Sequence, residues 1–309
     1  MTARSLLDLV GNTPLVRLDK LFERSGLRVE AKCEFLNPTG SIKDRPARLI
    51  VERWLADGRL DAGSRLVEST SGNFGVSLAL AAAIHGLRFT AVVDPMATRA
   101  HVAMIRQYGA EIVLADQPDA VGGYLNSRVE TVRAICRQDE KAVWINQYAN
   151  PLNSEAHFSG TGAEIAAQVE GPPDVLVAAV STSGTIMGTG RRLKTEFPYM
   201  RIVAVDAAGS VIFNGRPGPR RLPGLGASRV PELLDASLID EVVYVSDEQA
   251  IAGCHRLLRT EGIMAGGSSG AVIWAIQQLA AELAPRSRVV TLLPDRGDRY
   301  LGLIYPACP

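Results

Sequence analysis

The sequence predicts an α/β protein with mainly parallel, buried β-sheets. Short valine-rich apolar runs alternate with longer stretches of helical periodicity, and this alternation is typical of βαβ units. The runs are apolar throughout, as expected for strands that are covered on both faces. The length of 309 residues exceeds the ~250–300 residues at which a single core stops growing, so two lobes are expected.

The predicted elements follow one another in a regular order. The strands are Arg65–Glu68, Phe89–Val93, Glu111–Leu114, Val175–Val180, Ile202–Val205 and Arg288–Leu293. The helices are Arg45–Asp57, Gly75–His85, Thr98–Tyr108, Gly122–Arg137, Asn153–Val169, Asp247–Glu261 and Ser269–Leu283. Ala208–Arg229 is rich in glycine and proline and predicts a long loop that is functional or mobile.

Composition and charge exclude several classes of protein. Hydrophobic residues make up 47% and charged residues 21%, and 33 basic residues balance 33 acidic ones. This balance does not favour a nucleic acid or an acidic membrane as partner. The start of the chain lacks a secretory leader, and no apolar run approaches the ~20 residues that span a bilayer. We therefore expect a cytoplasmic protein.

The cysteines and histidines lack the spacing of a metal site. The residues concerned are Cys33, Cys136, Cys254 and Cys308, and His85, His101, His157 and His255. The cysteines are also not paired as in a disulfide scaffold, so free thiols in a reducing compartment are expected. The histidines are predicted to be structural or exposed. No metal is predicted.

A lysine stands at a helix entrance in the segment Asn37–Arg45. Lys43 follows a Gly-Ser turn and precedes the predicted helix, so its amine can meet an anionic cofactor at the positive end of that helix. A solvated lysine at a helix N-terminus is the ordinary alternative.

Three loops rich in hydroxyl groups and glycine open helices. Glu68–Gly75 and Ser181–Gly188 each follow a predicted strand, and Ala265–Gly270 precedes the last predicted helix. Backbone amides and hydroxyls at a positive helix end suit a carboxylate or a phosphate. Taken alone, Glu68–Gly75 is also compatible with a simple N-cap turn and Ser181–Gly188 with an ordinary loop.

In chain order these segments, with Gly11–Leu15 and Leu293–Leu301, resemble the cysteine synthase and cystathionine β-synthase family of pyridoxal-phosphate enzymes. The resemblance covers nearly the whole chain. It implies a fold-type II, tryptophan synthase β-like structure with two open, twisted, mainly parallel sheets flanked by helices and the cofactor in the cleft between lobes. The larger, cofactor-binding lobe would comprise 1–38 and 149–309, and the smaller, mobile, substrate-binding lobe 39–148.

The resemblance also assigns residues. Lys43 would carry pyridoxal 5'-phosphate as a Schiff base and act as the catalytic base. Asn73 would bind the ring oxygen, and Ser268, in preference to Ser269, would face the ring nitrogen. The phosphate would be held by Ser181, Thr182, Ser183, Gly184 and Thr185, where the family usually has more glycine. The substrate would be held by Thr70, Ser71, Gly72, Asn73, Gln147, Tyr148, Arg128 and Ser181. Asp295 would be structural.

Further stretches are similar to family members that join O-phospho-L-serine to the amine of L-glutamate, on the way to 2,3-diaminopropionate and siderophores. They are Pro118–Ala120, Gly122–Leu125, Ile145–Asn150, Gly209–Phe213 and Leu222–Pro231. Tyr148 stands where cysteine synthases carry phenylalanine, and its phenol adds a hydrogen-bonding group. Arg128 can supply a bidentate contact to a phosphate or carboxylate. Plain packing for Tyr148 and a solvated surface position for Arg128 remain alternatives.

The resulting prediction is a transferase that replaces the phosphate of O-phospho-L-serine with the amine of L-glutamate, acting as a homodimer, as is usual in the family. A cysteine synthase that uses O-acetylserine or O-phosphoserine with sulfide would share every cofactor contact. A catalytically silent, cofactor-binding regulatory protein is a further alternative. The set of Lys43, Asn73 and Ser268 argues against it.

Overall fold

The computed structural model describes residues 2–118 and 123–306, which form two compact units. One unit contains the chain up to Val10 together with Lys43–Asn153, and the other contains Gly11–Ile42 and the chain from Ser154 onward. The first ten residues thus group with the smaller unit, through Leu7 and Val10 in its core, whereas the sequence placed them in the larger lobe. Asp119–Gly122 and Cys308, which the sequence analysis used, lie outside the described residues.

The strands and helices are as follows. The strands are β1 (Leu15–Arg17), β2 (Arg28–Lys32), β3 (Arg65–Ser69), β4 (Arg88–Val93), β5 (Glu111–Leu114), β6 (Ala142–Trp144), β7 (Val175–Ala179), β8 (Arg201–Ala207), β9 (Glu241–Val245) and β10 (Arg288–Leu292). The helices are α1 (Asp19–Phe22), α2 (Asp44–Ala56), α3 (Asn73–His85), α4 (Arg99–Gln107), α5 (Leu125–Gln138), α6 (Pro151–Ala156), α7 (Ala163–Gln168), α8 (Gly184–Glu196), α9 (Asp247–Glu261) and α10 (Gly267–Leu279).

All the predicted strands are present, but one predicted helix is wrong in its continuity. Asn153–Val169 is not a single α-helix, because the π-helical turn His157–Gly162 separates α6 from α7. Helix α8 comes very close to this turn, since a Cβ on its Gly188 would lie 2.7 Å from His157 Cβ and 2.8 Å from the Phe158 backbone nitrogen. Such π-helical turns often occur near functional sites.

The smaller unit contains a parallel four-stranded sheet in the order β5-β4-β3-β6. The chain runs outward from β3 to β5 and then returns to the other side of β3 with β6. The strand order therefore reverses between β3 and β6, and ligands of open α/β sheets bind beyond the carboxyl ends of the strands at such a point. The segments Thr70–Asn73 and Ile145–Tyr148 follow these two strands.

The larger unit contains a six-stranded sheet in the order β1-β2-β10-β7-β8-β9. All its neighbouring strands are parallel except the pair β1 and β2. Here the chain runs from β7 to β9 and returns with β10 beside β7, so the strand order reverses between β7 and β10. The loop Ser181–Thr185 follows β7, and Asp295 follows β10.

Close backbone packing fixes α10 within the larger unit. A Cβ on Gly270 would lie 2.0 Å from the Ala250 carbonyl oxygen, and one on Gly253 would lie 2.1 Å from the Gly270 carbonyl oxygen. Helices α9 and α10 therefore touch backbone to backbone, which only glycine permits. The start of α10, which carries Ser268, is held in place by this contact.

The Gly11–Leu15 segment is anchored by a buried lysine. Lys32 Nζ donates to the Thr13 carbonyl oxygen at 2.6 Å and pairs with Glu164 Oε2 at 2.7 Å. Thr13 Oγ1 donates to Glu34 Oε1 at 2.7 Å, and Asn37 Nδ2 donates to Glu34 Oε2 at 2.9 Å. A buried charge needs such partners. The Gly11–Leu15 segment therefore has a structural role in the larger unit.

Two buried cysteines hold their protons. Burial raises the pKa of Cys33 and of Cys254 to about 12, and Cys33, Cys136 and Cys254 are free thiols. A thiol reacts as the thiolate, so these two are inert at neutral pH.

Within residues 2–118 and 123–306, no helix has the length and apolar character needed to cross a membrane.

Candidate active site

The loop between β3 and α3 ends in a helix start that no side chain caps. Gly72 is the N-cap residue of α3, and no side-chain hydrogen bond satisfies the cap. The orphan amides and the positive end of the helix suit an anion. Thr70 is buried, and a Cβ on Gly75 would lie 2.8 Å from Thr70 Cγ2. The glycine therefore leaves room for Thr70, which the sequence assigns to the substrate carboxylate.

Gln147 and Tyr148 follow β6 and bring an amide beside the same loop. Gln147 Nε2 donates to the Ser69 carbonyl oxygen at 3.2 Å and to Glu68 Oε1 at 3.3 Å. Asn153 Nδ2 donates to the Gln147 carbonyl oxygen at 2.7 Å. Gln147 is buried and Tyr148 is half-buried. Within the smaller unit, Gln147 thus lies next to the strand end that leads into Thr70.

Glu68 shapes this region, although the sequence analysis gave it no task. Its Oε2 accepts the Asn146 backbone N–H at 2.7 Å and thereby holds Asn146 at a φ of 55°, just before Gln147. Burial raises the pKa of Glu68 to about 8, against the lowering effect of hydrogen bonds from Asn146 and Gln147. A carboxylate at the end of a buried strand was the signal that could have revealed it.

The raised pKa predicts that stability falls as pH rises. Glu68 has an ordinary pKa of 4.5 when unfolded and about 8 when folded, so between these values the folded chain holds a proton that the unfolded chain has lost. The free energy of unfolding should therefore decrease from pH 5 to pH 8, by a few kcal/mol at ~1.4 kcal/mol per pKa unit. Glu68→Gln should flatten this slope in urea unfolding measured at pH 5, 7 and 9.

Glu52→Gln is the matched control for this prediction. Glu52 lies half-exposed on α2 of the same unit and pairs with Arg48, so its loss should leave the slope as in the unmodified protein. An equal slope for Glu68→Gln and the unmodified protein would show that Glu68 does not carry the pH dependence.

Arg128 is directed into the protein. Its side chain is only 12% exposed, and its Nε lies 3.2 Å from Asp94 Oδ2. Its Nη1 donates to Ser71 Oγ at 2.9 Å. The structure therefore excludes the solvated surface position and places the guanidinium at the Thr70–Asn73 loop. Asp94 was missed by sequence reasoning, although an acidic residue just after the buried strand β4 is a usable signal.

Lys43 is the N-cap residue of α2 and is half-buried. The next residue, Asp44, accepts a hydrogen bond from Ser77 Oγ at 2.6 Å. Ser77 Oγ also lies 3.1 Å from the Asn73 carbonyl oxygen. The first turn of α2 is thus linked to the first turn of α3. The predicted Schiff-base lysine and the predicted ring-binding asparagine occupy these two turns.

In the larger unit, the loop before α8 has an unsatisfied hydroxyl. Ser183 Oγ is buried and has no hydrogen-bond partner among the described residues. Ser183 is held at a left-handed φ of 66°, which is uncommon for a residue with a side chain. It precedes Gly184 at the start of α8, where no side chain caps the helix. These features fit a phosphate group at this position.

The neighbouring residues of this loop have different surroundings. Thr182 is buried, and Thr185 Oγ1 lies 3.3 Å from His157 Nε2. Ser181 Oγ donates to the Gly226 carbonyl oxygen at 3.1 Å. The Ser181 oxygen retains its capacity as an acceptor.

The long loop predicted at Ala208–Arg229 packs against this segment. The Gly226 N–H donates to the Val180 carbonyl oxygen at 2.7 Å, and the Gly218 N–H donates to the Gly209 carbonyl oxygen at 3.1 Å. Gly209 has a φ of 88°, and a Cβ there would lie 2.9 Å from the Gly218 carbonyl. The loop therefore folds back on itself and supports Ser181.

Ser268 and Ser269 are buried in the first turn of α10. The preceding Gly266 donates its N–H to the Asp295 carbonyl oxygen at 3.0 Å, and a Cβ on Gly266 would lie 2.1 Å from Asp295 Oδ1. Tyr300 Oη donates to Asp295 Oδ2 at 2.5 Å. Asp295 therefore supports the turn that carries Ser268, as expected from the sequence.

Each unit thus carries, at the reversal point of its sheet, a loop that opens a helix and is suited to an anion. The family described as "Pyridoxal-phosphate dependent enzyme" matches residues 6–295. The chain belongs to this family, its cofactor is pyridoxal phosphate, and its fold is the predicted fold-type II. The buried Ser183 hydroxyl and the uncapped start of α8 fit this cofactor's phosphate.

Two curated relatives share a name. A protein of Ralstonia nicotianae is 54% identical over 305 residues, which cover 99% of this chain and 90% of the relative. A protein of Cupriavidus metallidurans is 52% identical over 308 residues with the same coverage. Both are named N-(2-amino-2-carboxyethyl)-L-glutamate synthase. They belong to the branch of the family that the sequence analysis indicated.

A solved structure agrees with the fold. O-ureido-L-serine synthase is 33% identical and has a TM-score of 0.91, with 99% of this chain and 95% of that chain covered.

Proposed function

We propose that this chain joins O-phospho-L-serine and L-glutamate to give N-(2-amino-2-carboxyethyl)-L-glutamate and phosphate. The observation that carries the proposal is the identity of 54% over 305 residues with a synthase of that name. The geometry of Arg128 supports it, because a guanidinium beside the Thr70–Asn73 loop can bind a substrate with a second anionic group.

The bond changes balance within this reaction. The bond between Cβ of phosphoserine and its ester oxygen breaks, and a bond between Cβ and the glutamate nitrogen forms. The glutamate amine loses a proton and phosphate leaves. When bound, the cofactor acts as the electron sink that acidifies Cα of phosphoserine and allows the phosphate to leave.

The proposal assigns cofactor binding and proton transfer to residues of this chain. Lys43 would hold the cofactor and then move a proton between its Nζ and Cα of phosphoserine. Asn73 would donate to the cofactor's ring oxygen. Ser268 would face the ring nitrogen with a hydroxyl, which does not hold that nitrogen protonated as a carboxylate would. The cofactor phosphate would be held by Ser181, Thr182, Ser183, Gly184 and Thr185.

Most of the residues proposed to hold the amino-acid substrates belong to the smaller unit, and Ser181 belongs to the larger one. The α-carboxylate would be bound by Thr70, Ser71, Gly72, Asn73 and Gln147. Arg128 and Tyr148, with Ser181, would bind the phosphate of phosphoserine and then the carboxylates of glutamate. Supporting contacts are the hydrogen bond of Arg128 to Ser71 and that of Gln147 to Ser69.

A competition between nucleophiles tests the proposed function. The enzyme is given phosphoserine with equimolar glutamate and sulfide, and products are identified by mass spectrometry. We expect N-(2-amino-2-carboxyethyl)-L-glutamate to be the main product, because polar groups arranged for two carboxylates favour glutamate over sulfide. Omission of each nucleophile in turn provides the control.

The rival functions give different outcomes. Cysteine as the main product would make the protein a cysteine synthase. No release of phosphate from phosphoserine and no release of acetate from O-acetylserine, with either nucleophile, would indicate a silent cofactor-binding protein.

The wider setting follows as part of the proposal. The product would serve as a precursor of 2,3-diaminopropionate for siderophore synthesis, and the enzyme would act in the cytoplasm as a homodimer. The relatives' names support the product alone, and the family resemblance supports the later use of the product and the homodimer.

A further inference from the structure

A buried histidine contacts the asparagine that we propose as the ligand of the cofactor's ring oxygen. His101 lies on α4 and is 1% exposed. Its Nε2 lies 3.0 Å from Asn73 Oδ1, and its Nδ1 lies 2.6 Å from Thr98 Oγ1. Neither His101 nor Thr98 takes part in the function proposed above.

The distances favour one position for the proton of the imidazole ring. O–H donors reach their acceptors at ~2.5–3.0 Å, whereas N–H donors to oxygen usually lie at ~2.7–3.2 Å. The distance of 2.6 Å between Thr98 Oγ1 and His101 Nδ1 favours the hydroxyl as the donor and Nδ1 as the acceptor. A neutral imidazole then carries its proton on Nε2. His101 therefore donates to Asn73.

Thr98 is itself held in place for this task. It is the N-cap residue of α4, and its Oγ1 accepts the His101 backbone N–H at 3.2 Å. The Thr98 oxygen thus accepts the backbone N–H of the helix cap. Its own proton is directed to His101 Nδ1. A common helix cap in this way selects the tautomer of a buried imidazole.

We propose that His101 is a positioning residue that sets the orientation of the Asn73 carboxamide. The two ends of an amide differ little in shape, so a partner that only donates decides that the oxygen faces it. Nδ2, the donor end, is then directed away from α4. A donor stabilises the ionised ring oxygen of the cofactor, whereas a reversed amide would set an oxygen against it. The inference rests on the proposed contact between Asn73 and the cofactor.

The Asn73 backbone has a separate anchor. The hydroxyl proton of Ser77 is shared between Asp44 Oδ1 at 2.6 Å and the Asn73 carbonyl oxygen at 3.1 Å. Removing the His101 imidazole should therefore release the rotation of the Asn73 amide without moving the first turn of α3. The effect should appear in the properties of the bound cofactor.

The experiment compares His101→Leu and His101→Gln with Asn73→Ala and the unmodified holoenzyme. The cofactor Kd is measured by serial dilution, and the ratio of the cofactor's long- to short-wavelength absorbance bands is recorded. For His101→Leu we expect a Kd about three- to tenfold higher, as for one lost hydrogen bond, and a shift toward the short-wavelength band. His101→Gln should restore both values to within about twofold, because its amide nitrogen can donate from the place of Nε2.

The outcomes separate the two claims. His85→Leu, at the exposed end of α3, is the control and should change neither value. Unchanged values in Asn73→Ala would remove the proposed contact itself, and the inference with it. A changed Asn73→Ala with an unchanged His101→Leu would overturn only the inference. Equal changes in the Leu and Gln variants would mean that His101 merely packs, which would also overturn it.

Discussion

Replacing Lys43 with alanine should lower the rate of phosphate release from phosphoserine by at least ~10²–10⁴-fold, the usual loss when a positioned acid or base is removed. The loss should be at the upper end, because in the proposed function one amine would perform two tasks. It would hold the cofactor covalently, and it would move the proton at Cα. The measurement is steady-state phosphate release, together with cofactor retention after gel filtration.

Two variants and one chemical test support this measurement. Lys43→Arg keeps the positive charge but cannot form the covalent link, so it should be as inactive as Lys43→Ala. Lys194→Ala removes a surface lysine paired with Asp240 and should keep full activity. Borohydride reduction should fix the cofactor to Lys43 in the unmodified enzyme only. A Lys43→Ala rate above about one per cent of the unmodified rate would remove Lys43 from the proposed role.

The strands could be predicted where apolar residues are buried on both faces. The valine-rich β7 and β8 were found within a residue or two of their ends. In contrast, β2 was missed because Glu30 and Lys32 interrupt its apolar pattern, and both are buried in the structure. Lys32 is tolerated there because Glu164 pairs with it at 2.7 Å. Such a pairing between distant segments leaves no local signal in the sequence.

Short strands escaped prediction for another reason. The edge strand β1 and the strand β6 each contain three residues, too few to show a period. Their position comes from the neighbours with which they pair: β1 with β2, and β6 with β3. Strand β6 nevertheless matters for the candidate site, because Gln147 and Tyr148 follow shortly after its last residue.

The residues proposed for the site could be identified where they stand in short local segments. These segments are the hydroxyl-rich loops after β3 and β7 and the segment that ends at the lysine before α2. The supporting residues Glu68, Asp94 and His101 were not found, since each acts through a contact with a distant residue. Glu68 reaches Asn146 across 78 positions, and His101 reaches Asn73 across 28. Only the folded sheet brings these groups together.

Arg128 is proposed to connect the supporting residues with substrate choice. Asp94 pairs with its Nε, and Ser71 accepts from its Nη1. A guanidinium has five N–H donors in a fixed fork, so these two contacts leave further donors for an anionic group of the substrate. O-Acetylserine has no phosphate group that could accept hydrogen bonds from these remaining N–H donors. Sites built to hydrogen-bond a group can reject an analogue that lacks it by ~10⁴-fold.

The unmodified enzyme should therefore prefer O-phospho-L-serine to O-acetylserine by up to ~10⁴-fold in kcat/KM, and Arg128→Ala should remove much of this preference. Loss of charged hydrogen bonds worth ~1.5–3 kcal/mol should lower kcat/KM for phosphoserine by roughly 10- to 150-fold. The value for O-acetylserine should change little. Tyr148→Phe, which loses a neutral hydrogen bond of ~1 kcal/mol, should lower the phosphoserine value about fivefold.

The ratio of the two substrates within one preparation is the decisive quantity. Arg128→Ala also leaves the buried Asp94 without its ion pair, so part of the protein can unfold and lower both rates together. Their ratio is independent of the folded fraction, and it isolates recognition of the phosphate. Arg128→Lys keeps the charge but not the planar fork, so its ratio should fall between those of the alanine variant and the unmodified enzyme. If Arg128→Ala lowered both values equally, the guanidinium would support the fold of the loop and Arg128 would not recognise phosphate.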